Sequence, residues 1–405
     1  MLVTPAAATE LITTHLAALP SEDCPLAAAH GRVLRQTITA DRPLPPFDRI
    51  TMDGFAVRSA DLTDSSVERR LRCTGFQAAG MMAQTLAASG LCIEVATGAV
   101  LPNGTDAVIP YEETERDGET IIIPAGAVCE SGQSLHRTGS DVATGTTLVA
   151  PGTRLSGREI AVAATVGAAQ LRVAVRPSVA ILATGDELVE VDAPHVGPHQ
   201  IRRSNDYALR AALLQSGLTG RIERFHLRDH RPEIDATLRR VLAEFDLVLL
   251  TGGVSKGKLD HIPKALAELG VTNHLHGVAQ RPGKPLWFGT SSRRTPVFAL
   301  PGNPVSTYTC LHRYVLPALR HQLGATPPPP ETVRLAEPFR FAKPLAFMLP
   351  VQVRDDGAGG RAAHPAPFNT SGDLGGLLGT DGFVELPAEA TDFAAGDTFT
   401  FWRWT

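Results

Sequence analysis

The pattern of apolar and polar positions changes character at Pro177. After it, stretches that are apolar throughout, such as SVAILATGDEL and DLVLLTGG, alternate with helical patterns such as SNDYALRAALLQSG and RPEIDATLRRVLAEF. Strands that are apolar throughout are typical of parallel sheets whose two faces are both covered. Residues 178–326 are therefore predicted to form an α/β domain with a mainly parallel sheet.

The pattern before Pro177 indicates a second kind of structure. Residues 23–145 contain short strand-like stretches, among them LRCTGF and TIIIPAG, separated by frequent glycine and proline, which predicts an inserted β-rich domain. Helical patterns flank this insertion, and we expect residues 1–22 and 146–177 to form one elongated domain. Residues 327–405 follow the stiff segment TPPPPE and alternate apolar with polar positions, so they are predicted to form a C-terminal β domain.

Composition and charge indicate which classes of binding partner and which cell compartment to expect. The 405 residues carry a net charge of -4, which does not indicate a surface for nucleic acid. No apolar run reaches the roughly 18 residues of a membrane-spanning helix. The five cysteines are scattered and form no C-x-x-C pair, which favours reduced thiols in the cytoplasm. We therefore expect a cytoplasmic protein that binds neither nucleic acid nor a membrane.

Glycine follows three predicted strands of the α/β domain. One strand ends at Thr184, just before a glycine, another runs into Gly252 and Gly253, and a third leads into the PGNP turn that begins at Pro301. Ligands of open α/β sheets bind outside the carboxyl ends of the strands, and glycine lets a ligand approach the backbone closely. The helix after the turn favours an anion at its N-terminus. For this turn alone, an ordinary strand–helix connection is the alternative.

Charged groups occur near the same strand ends. Arg281 and Lys284 in RPGKP are held by neighbouring prolines, and a pre-positioned cation loses less freedom when it binds an anion. Glu187 and Asp260 offer oxygen ligands to a hard cation such as Mg²⁺, although Asp260 could instead only cap a helix. The chain has no G-x-S-x-G, Walker A or G-x-G-x-x-G motif. We therefore expect electrostatic binding of a phosphorylated substrate, a divalent cation and a second anion.

The β-rich region has polar groups of its own. LPPFDRITMDGFAV places Asp53 in an Asp-Gly turn, and the stretches ATGAVLPNGTDAV and HRTGSDVATG display Thr97, Arg137, Ser140 and Asp141. The residues alone are compatible with a second part of the site and with three separate surface turns.

Eight motifs together resemble the molybdopterin molybdenumtransferase family (MoeA, related to the E domain of gephyrin). They occur in the family order: LPPFDRITMDGFAV, ATGAVLPNGTDAV, RTGSDV, APGTRL, ATGDEL, TGGVSKGKLD, RPGKPLWFG and LPGNPVS. The resemblance implies a multidomain α/β fold with a MogA-like α/β/α three-layer domain, an inserted β-rich domain, an elongated helical/β domain and a C-terminal β-barrel-like domain. It also implies an enzyme that inserts molybdate into adenylylated molybdopterin, with Mg²⁺ assisting, and releases AMP to give molybdenum cofactor.

The resemblance also assigns roles to individual residues. It implies that molybdate is bound by Ser255, Arg281, Lys284, Pro285 and Ser306. It implies that the phosphate of the nucleotide or pterin is held by Gly252, Gly253, Pro301, Asn303 and Pro304. The catalytic groups that it implies are Asp53, Asp141, Glu187, Asp260 and Lys284. Glu187 and Asp260 are the implied Mg²⁺ ligands, and Thr97 is a further substrate-binding position.

The family is dimeric, which implies a homodimer whose β-rich domain closes the α/β site of the other subunit. The implied protein partners are molybdopterin adenylyltransferase and maturation proteins of molybdoenzymes. Two positions depart from the family: Arg281 stands where lysine also occurs, and Leu349 stands where members often carry arginine. The alternatives are the adenylyltransferase itself, which usually has GGTG where this chain has GGVS, and a non-catalytic, gephyrin-like scaffold.

Replacement of Lys284 by alanine tests the anion site. The change removes a fixed positive charge, and a hydrogen bond to a charged group contributes roughly 1.5–3 kcal/mol. We expect the molybdate concentration that gives half-maximal AMP release to rise about 10- to 150-fold. An unchanged molybdate dependence would contradict the assignment of Lys284.

Overall fold

The computed structural model of the protein describes residues 2–253, 262–357 and 360–404. The chain divides into two compact units. The first comprises Met1–Gln36, Pro151–Ile160 and Gln170–Thr405, and the second comprises Thr37–Ala150 and Ala161–Ala169. Among the described residues, no helix has the length and apolar character needed to cross a membrane.

A six-stranded sheet forms the centre of the first unit. Its strands lie in the order Ile222–Leu227, Val179–Thr184, Leu247–Thr251, Pro296–Leu300, Trp287–Thr290 and Thr272–His276. The first four run parallel, and Trp287–Thr290 is antiparallel to both of its neighbours. The prediction of a mainly parallel sheet is confirmed.

Helices cover both faces of this sheet, which makes three layers. One face packs against Asn205–Ser216 and the helical run Pro304–Cys310, Leu311–Val315 and Leu316–Gln322. The middle segment of that run, Leu311–Val315, is a π-helix. The opposite face packs against Arg231–Glu244 and Ile262–Glu268.

The N-terminal helix Pro5–His15 joins the first of these two cores, since Ala8 and Ile12 are buried there. The strand Ser21–Pro25 then pairs with Gln170–Ala174 in the same unit. Residues 23–36, which were predicted to belong to the inserted domain, thus lie in the first unit, and the second unit begins at Thr37. The short polar strand SEDCP gave no sign of its partner, which lies far along the chain.

The C-terminal part of the first unit is a closed ring of five strands. Each strand pairs with the next, and the last pairs with the first: Ala346–Asp355, Arg361–Pro365, Thr332–Leu335, Thr398–Arg403 and Gly382–Leu386. The expected barrel-like domain is thus confirmed. A sixth strand, Gln280–Arg281, pairs with Ala346–Asp355 from outside the ring.

The second unit is built on a sheet of short strands. They lie in the order Ala107–Pro110, Gly54–Val57, Leu91–Val95, Arg69–Gln77, Thr120–Ile123 and Glu115–Asp117. Two small pairs lie beside this sheet: Arg49–Ile50 with Leu135–His136, and Ile38–Thr39 with Thr147–Val149. The helix Gly157–Thr165 spans a boundary between the two units.

Further short elements occur in the connections. The two-residue strand pairs are Leu188–Val189 with Ile201–Arg202, and Phe339–Arg340 with Asp392–Phe393. The 3₁₀ helices are Leu26–Ala28, Ser59–Leu62, Tyr111–Glu113 and Leu374–Leu377.

Candidate functional site

Three strand ends meet at one edge of the central sheet. Thr251 pairs in parallel register with Ala183 on one side and with Leu300 on the other. The hydroxyl of Thr184 donates to the Thr251 carbonyl at 3.3 Å, and the Gly252 N–H donates to the Leu300 carbonyl at 3.2 Å. The three predicted glycine-bearing turns therefore lie side by side.

Glycine is required where these turns touch. Gly252 has φ = 90°, and a Cβ there would lie 2.8 Å from the Thr184 hydroxyl oxygen. Gly253 has φ = 69°, and its Cβ would lie 2.8 Å from Cγ1 of Ile262. Any other residue would force the turns apart, since positive φ and lack of space act together. The backbone is thus the surface that these turns offer to a ligand.

The turn from Pro301 to Pro304 leads into the helix that begins at Pro304. Asn303 occupies the N-cap position, and its carbonyl accepts from the Thr307 N–H at 3.0 Å. Its side-chain amide donates to the hydroxyl of Ser371 at 2.6 Å, and the Val305 N–H donates to the Ser371 carbonyl at 3.0 Å. A loop of the C-terminal barrel domain therefore contacts the turn directly. Ser306 is buried in the first helical turn, with 4% of its surface exposed.

The loop from Arg281 to Pro285 lies at the same sheet edge. It enters the strand Trp287–Thr290, whose first residue pairs in antiparallel register with Ala299, just before Pro301. Arg281 is half-buried and Lys284 is exposed. Within the described part of the chain, neither cation forms a salt bridge. Both positive charges are therefore available to an anion.

Glu187 stands over the first of the three turns. Gly185 has φ = 136°, and a Cβ there would lie 2.2 Å from a carboxylate oxygen of Glu187. The carboxylate therefore lies against the backbone of this turn while the residue stays exposed. Ser255 and Asp260, the other predicted residues of this edge, lie outside the described residues. No group of three or more metal-ligating side chains occurs in the described ranges.

The predicted residues of the second unit form a single cluster. Asp53 accepts from the Thr97 N–H at 2.6 Å, and this bond holds the pKa of Asp53 below its usual range. Asp141 contacts His136 at 2.7 Å, and the strand containing His136 pairs with Arg49–Ile50. The three stretches are therefore joined in the structure, and their role as a second part of the site stays a prediction.

A second acidic group strengthens this cluster. Asp48 accepts from the Thr138 N–H at 2.8 Å and from the Arg137 guanidinium at 2.7 Å. These bonds, the first above all, lower the pKa of Asp48. Ser140, displayed in the same stretch, is exposed. The cluster thus presents two carboxylates, Asp48 and Asp53, that stay ionised at neutral pH.

Two residues with site contacts were not predicted. Asn205 begins the helix Asn205–Ser216, and its amide donates to the Thr251 hydroxyl at 2.8 Å and to the Gly302 carbonyl at 2.7 Å. It therefore links two of the three turns. His136 lies between Asp141 and Arg49, whose guanidinium is 3.1 Å from its Nδ1. The contacts of both residues join segments that are far apart in the chain, so no local pattern in the sequence marked either one.

Leu349 departs from the family pattern in a way the fold explains. It is fully buried in the core of the C-terminal barrel domain. An apolar side chain in this position offers neither charge nor a hydrogen bond to an oxyanion.

Three protein-family patterns match consecutive parts of the chain. They are described as "MoeA N-terminal region (domain I and II)" over residues 3–167, "Probable molybdopterin binding domain" over residues 180–321, and "MoeA C-terminal region (domain IV)" over residues 332–404. The molybdopterin molybdenumtransferase of Synechocystis is 36% identical over 405 residues, 100% of both chains. That of Staphylococcus epidermidis is 32% identical over 372 residues, 91% of this chain and 87% of the relative.

Solved structures agree with these sequence relatives. Two crystal structures of a molybdopterin biosynthesis MoeA protein from Pyrococcus horikoshii match over 100% of both chains. One has a TM-score of 0.82 at 30% identity, and the other has a TM-score of 0.84 at 26% identity. The expected multidomain α/β fold is confirmed by these full-length matches.

Proposed function

The chain belongs to the molybdopterin molybdenumtransferase family, and we propose that it inserts molybdenum into molybdopterin to complete molybdenum cofactor synthesis. One observation supports the proposal: the loop that carries Arg281 and Lys284 enters the strand next to the one that precedes the Pro301–Pro304 turn, at the carboxyl edge of the sheet where the three glycine-bearing turns lie. Such an edge suits a substrate with a phosphate, and the two cations suit a tetrahedral dianion. The substrates are then adenylylated molybdopterin and molybdate, and AMP is released.

Different groups at the sheet edge bind the molybdate and the phosphate. Arg281, Lys284 and Pro285 receive molybdate, together with Ser306 and with Ser255, which lies outside the described residues. The backbone at Gly252 and Gly253 and the turn Pro301, Asn303 and Pro304 receive the phosphate. Lys284 acts as a compact point charge, whereas the planar guanidinium of Arg281 can bind two oxygens at once. Fixed donors of this kind stabilise charge that develops during transfer without first having to reorganise.

Mg²⁺ fits the edge when a phosphate is present. Mg²⁺ is usually bound by one or two carboxylates together with phosphate oxygens and water, and Glu187 is an exposed carboxylate at the first turn. We infer that Glu187 and Asp260 hold the ion, which neutralises phosphate charge when bound. Their own negative charge also disfavours a second anion on that side of the edge.

A homodimer supplies the remaining acidic groups. We infer that the cluster of Asp53, Thr97 and Asp141 closes the α/β site of the other subunit. Its carboxylates assist turnover by orienting the substrate or the Mg²⁺ ion. The protein acts in the cytoplasm, where it receives its substrate from a molybdopterin adenylyltransferase and passes cofactor to molybdoenzyme maturation proteins.

Release of AMP tests the activity directly. Purified protein is incubated with adenylylated molybdopterin and Mg²⁺, with and without molybdate. We expect AMP to appear and to depend on molybdate. Consumption of ATP with free molybdopterin would show adenylyltransferase activity instead, and the lack of both reactions would favour a non-catalytic scaffold.

A complementation experiment tests the shared site. We expect Asp53→Ala and Lys284→Ala homodimers to be impaired for different reasons, because the two residues would belong to different subunits at each site. A heterodimer of the two variants contains one site with both residues intact, so it should regain about half of the wild-type activity at low molybdate. Activity no higher than the mean of the two homodimers would contradict the shared site, and circular dichroism of both variants controls for folding.

A further inference from the structure

In the loop that carries Arg281 and Lys284, the two residues between these cations are buried. Pro282 and Gly283 are buried, whereas Lys284 is exposed and Arg281 is half-buried. The position of both charges therefore depends on what holds the buried part of the loop.

Gln280, immediately before the loop, provides one such support. Its side chain is fully buried, and its amide Nε2 donates to the Pro282 carbonyl at 2.9 Å. Its Oε1 accepts the phenolic O–H of Tyr314, which is 2% exposed. A buried amide is costly unless its donors and acceptor are paired, so these bonds fix one orientation of the Gln280 side chain. The Tyr314 hydroxyl is thus connected to the loop backbone through a single side chain.

The loop also packs tightly against the helical run that contains Tyr314. Gly283 has φ = 92°, and a Cβ there would lie 2.5 Å from Sγ of Cys310 and 2.7 Å from Nε2 of Gln280. The Cys310 thiol, fully buried, lies 3.8 Å from the Gly283 carbonyl. The loop therefore has no space in which to shift towards the helix.

A π-helix brings Tyr314 to this place. Tyr314 lies within Leu311–Val315, where the wider turn changes the direction of the side chains relative to a regular α-helix. The ring packs in the first of the two cores of the central sheet, and burial raises the pKa of Tyr314. Phenylalanine would fill the same space, so the feature that distinguishes tyrosine here is its bond to Gln280.

We propose that Gln280 and Tyr314 are positioning residues that set the affinity of the Arg281–Pro285 loop for molybdate. This inference rests on the proposed function. The Tyr314 hydroxyl fixes Gln280, Gln280 fixes the Pro282 carbonyl, and the loop then presents its two cations without loss of freedom on binding. Neither residue touches the substrate.

Tyr314→Phe tests the proposal, because it removes one oxygen and leaves the Gln280 acceptor unpaired. We expect KM for molybdate to rise about 5- to 20-fold, with kcat and KM for adenylylated molybdopterin near the wild-type values. Gln280→Met should have the same effect. Tyr308→Phe is the matched control: it makes the same chemical change on the same helical run, at a ring that packs against His312 and Trp404.

A double variant shows whether the effect passes through the cations. If Tyr314 acts by positioning Lys284, Tyr314→Phe should raise KM for molybdate less in the Lys284→Ala background than in the wild type. Unchanged KM for molybdate in both Tyr314→Phe and Gln280→Met would overturn the inference, as would a fall in kcat or melting temperature alone. Wild-type protein without molybdate-dependent AMP release would instead contradict the proposed function.

Discussion

The parallel register of three neighbouring strands is the constraint on which the site depends. Because Ala183, Thr251 and Leu300 are level with one another, the turns that follow them emerge at the same edge. The turns come so close that Gly252 and Gly253 leave no room for a Cβ. The edge therefore offers backbone groups rather than side chains, which suits the close approach of a phosphate. At this edge the carboxylate of Glu187 lies against the backbone of the first turn.

The loop that carries Arg281 and Lys284 connects a strand paired with the C-terminal barrel domain to a strand of the central sheet, and this connection brings it to the sheet edge. Gln280–Arg281 pairs with the strand Ala346–Asp355 of the C-terminal ring, while the residues after Pro285 enter the central sheet. Ser371 of the barrel domain also bonds to Asn303 in the Pro301–Pro304 turn. The C-terminal domain thus helps to fix both the Arg281–Pro285 loop and the Pro301–Pro304 turn. Loops held at both ends in this way keep charges in place before a ligand arrives.

The sequence predicted the sheet and the positions of its turns because apolar strands and glycines leave local patterns. Such patterns predicted the mainly parallel sheet, the glycines at its edge and the Arg281–Pro285 loop. Contacts between distant segments leave none, so the bonds of Asn205 to Thr251 and Gly302 were not foreseen. For the same reason the pairing of Ser21–Pro25 was not foreseen, since a strand with a partner near residue 170 cannot be identified from its own five residues.

Anomalous diffraction from crystals soaked with molybdate and AMP tests the central claim most directly. Data collected at the molybdenum absorption edge locate the metal independently of any assumption about the site. The account predicts a molybdenum peak whose oxygens lie roughly 3 Å from the side-chain nitrogens of Arg281 and Lys284, beside the Gly252–Gly253 turn. A peak bound only at another place, or no peak near the loop at saturating molybdate, would contradict it.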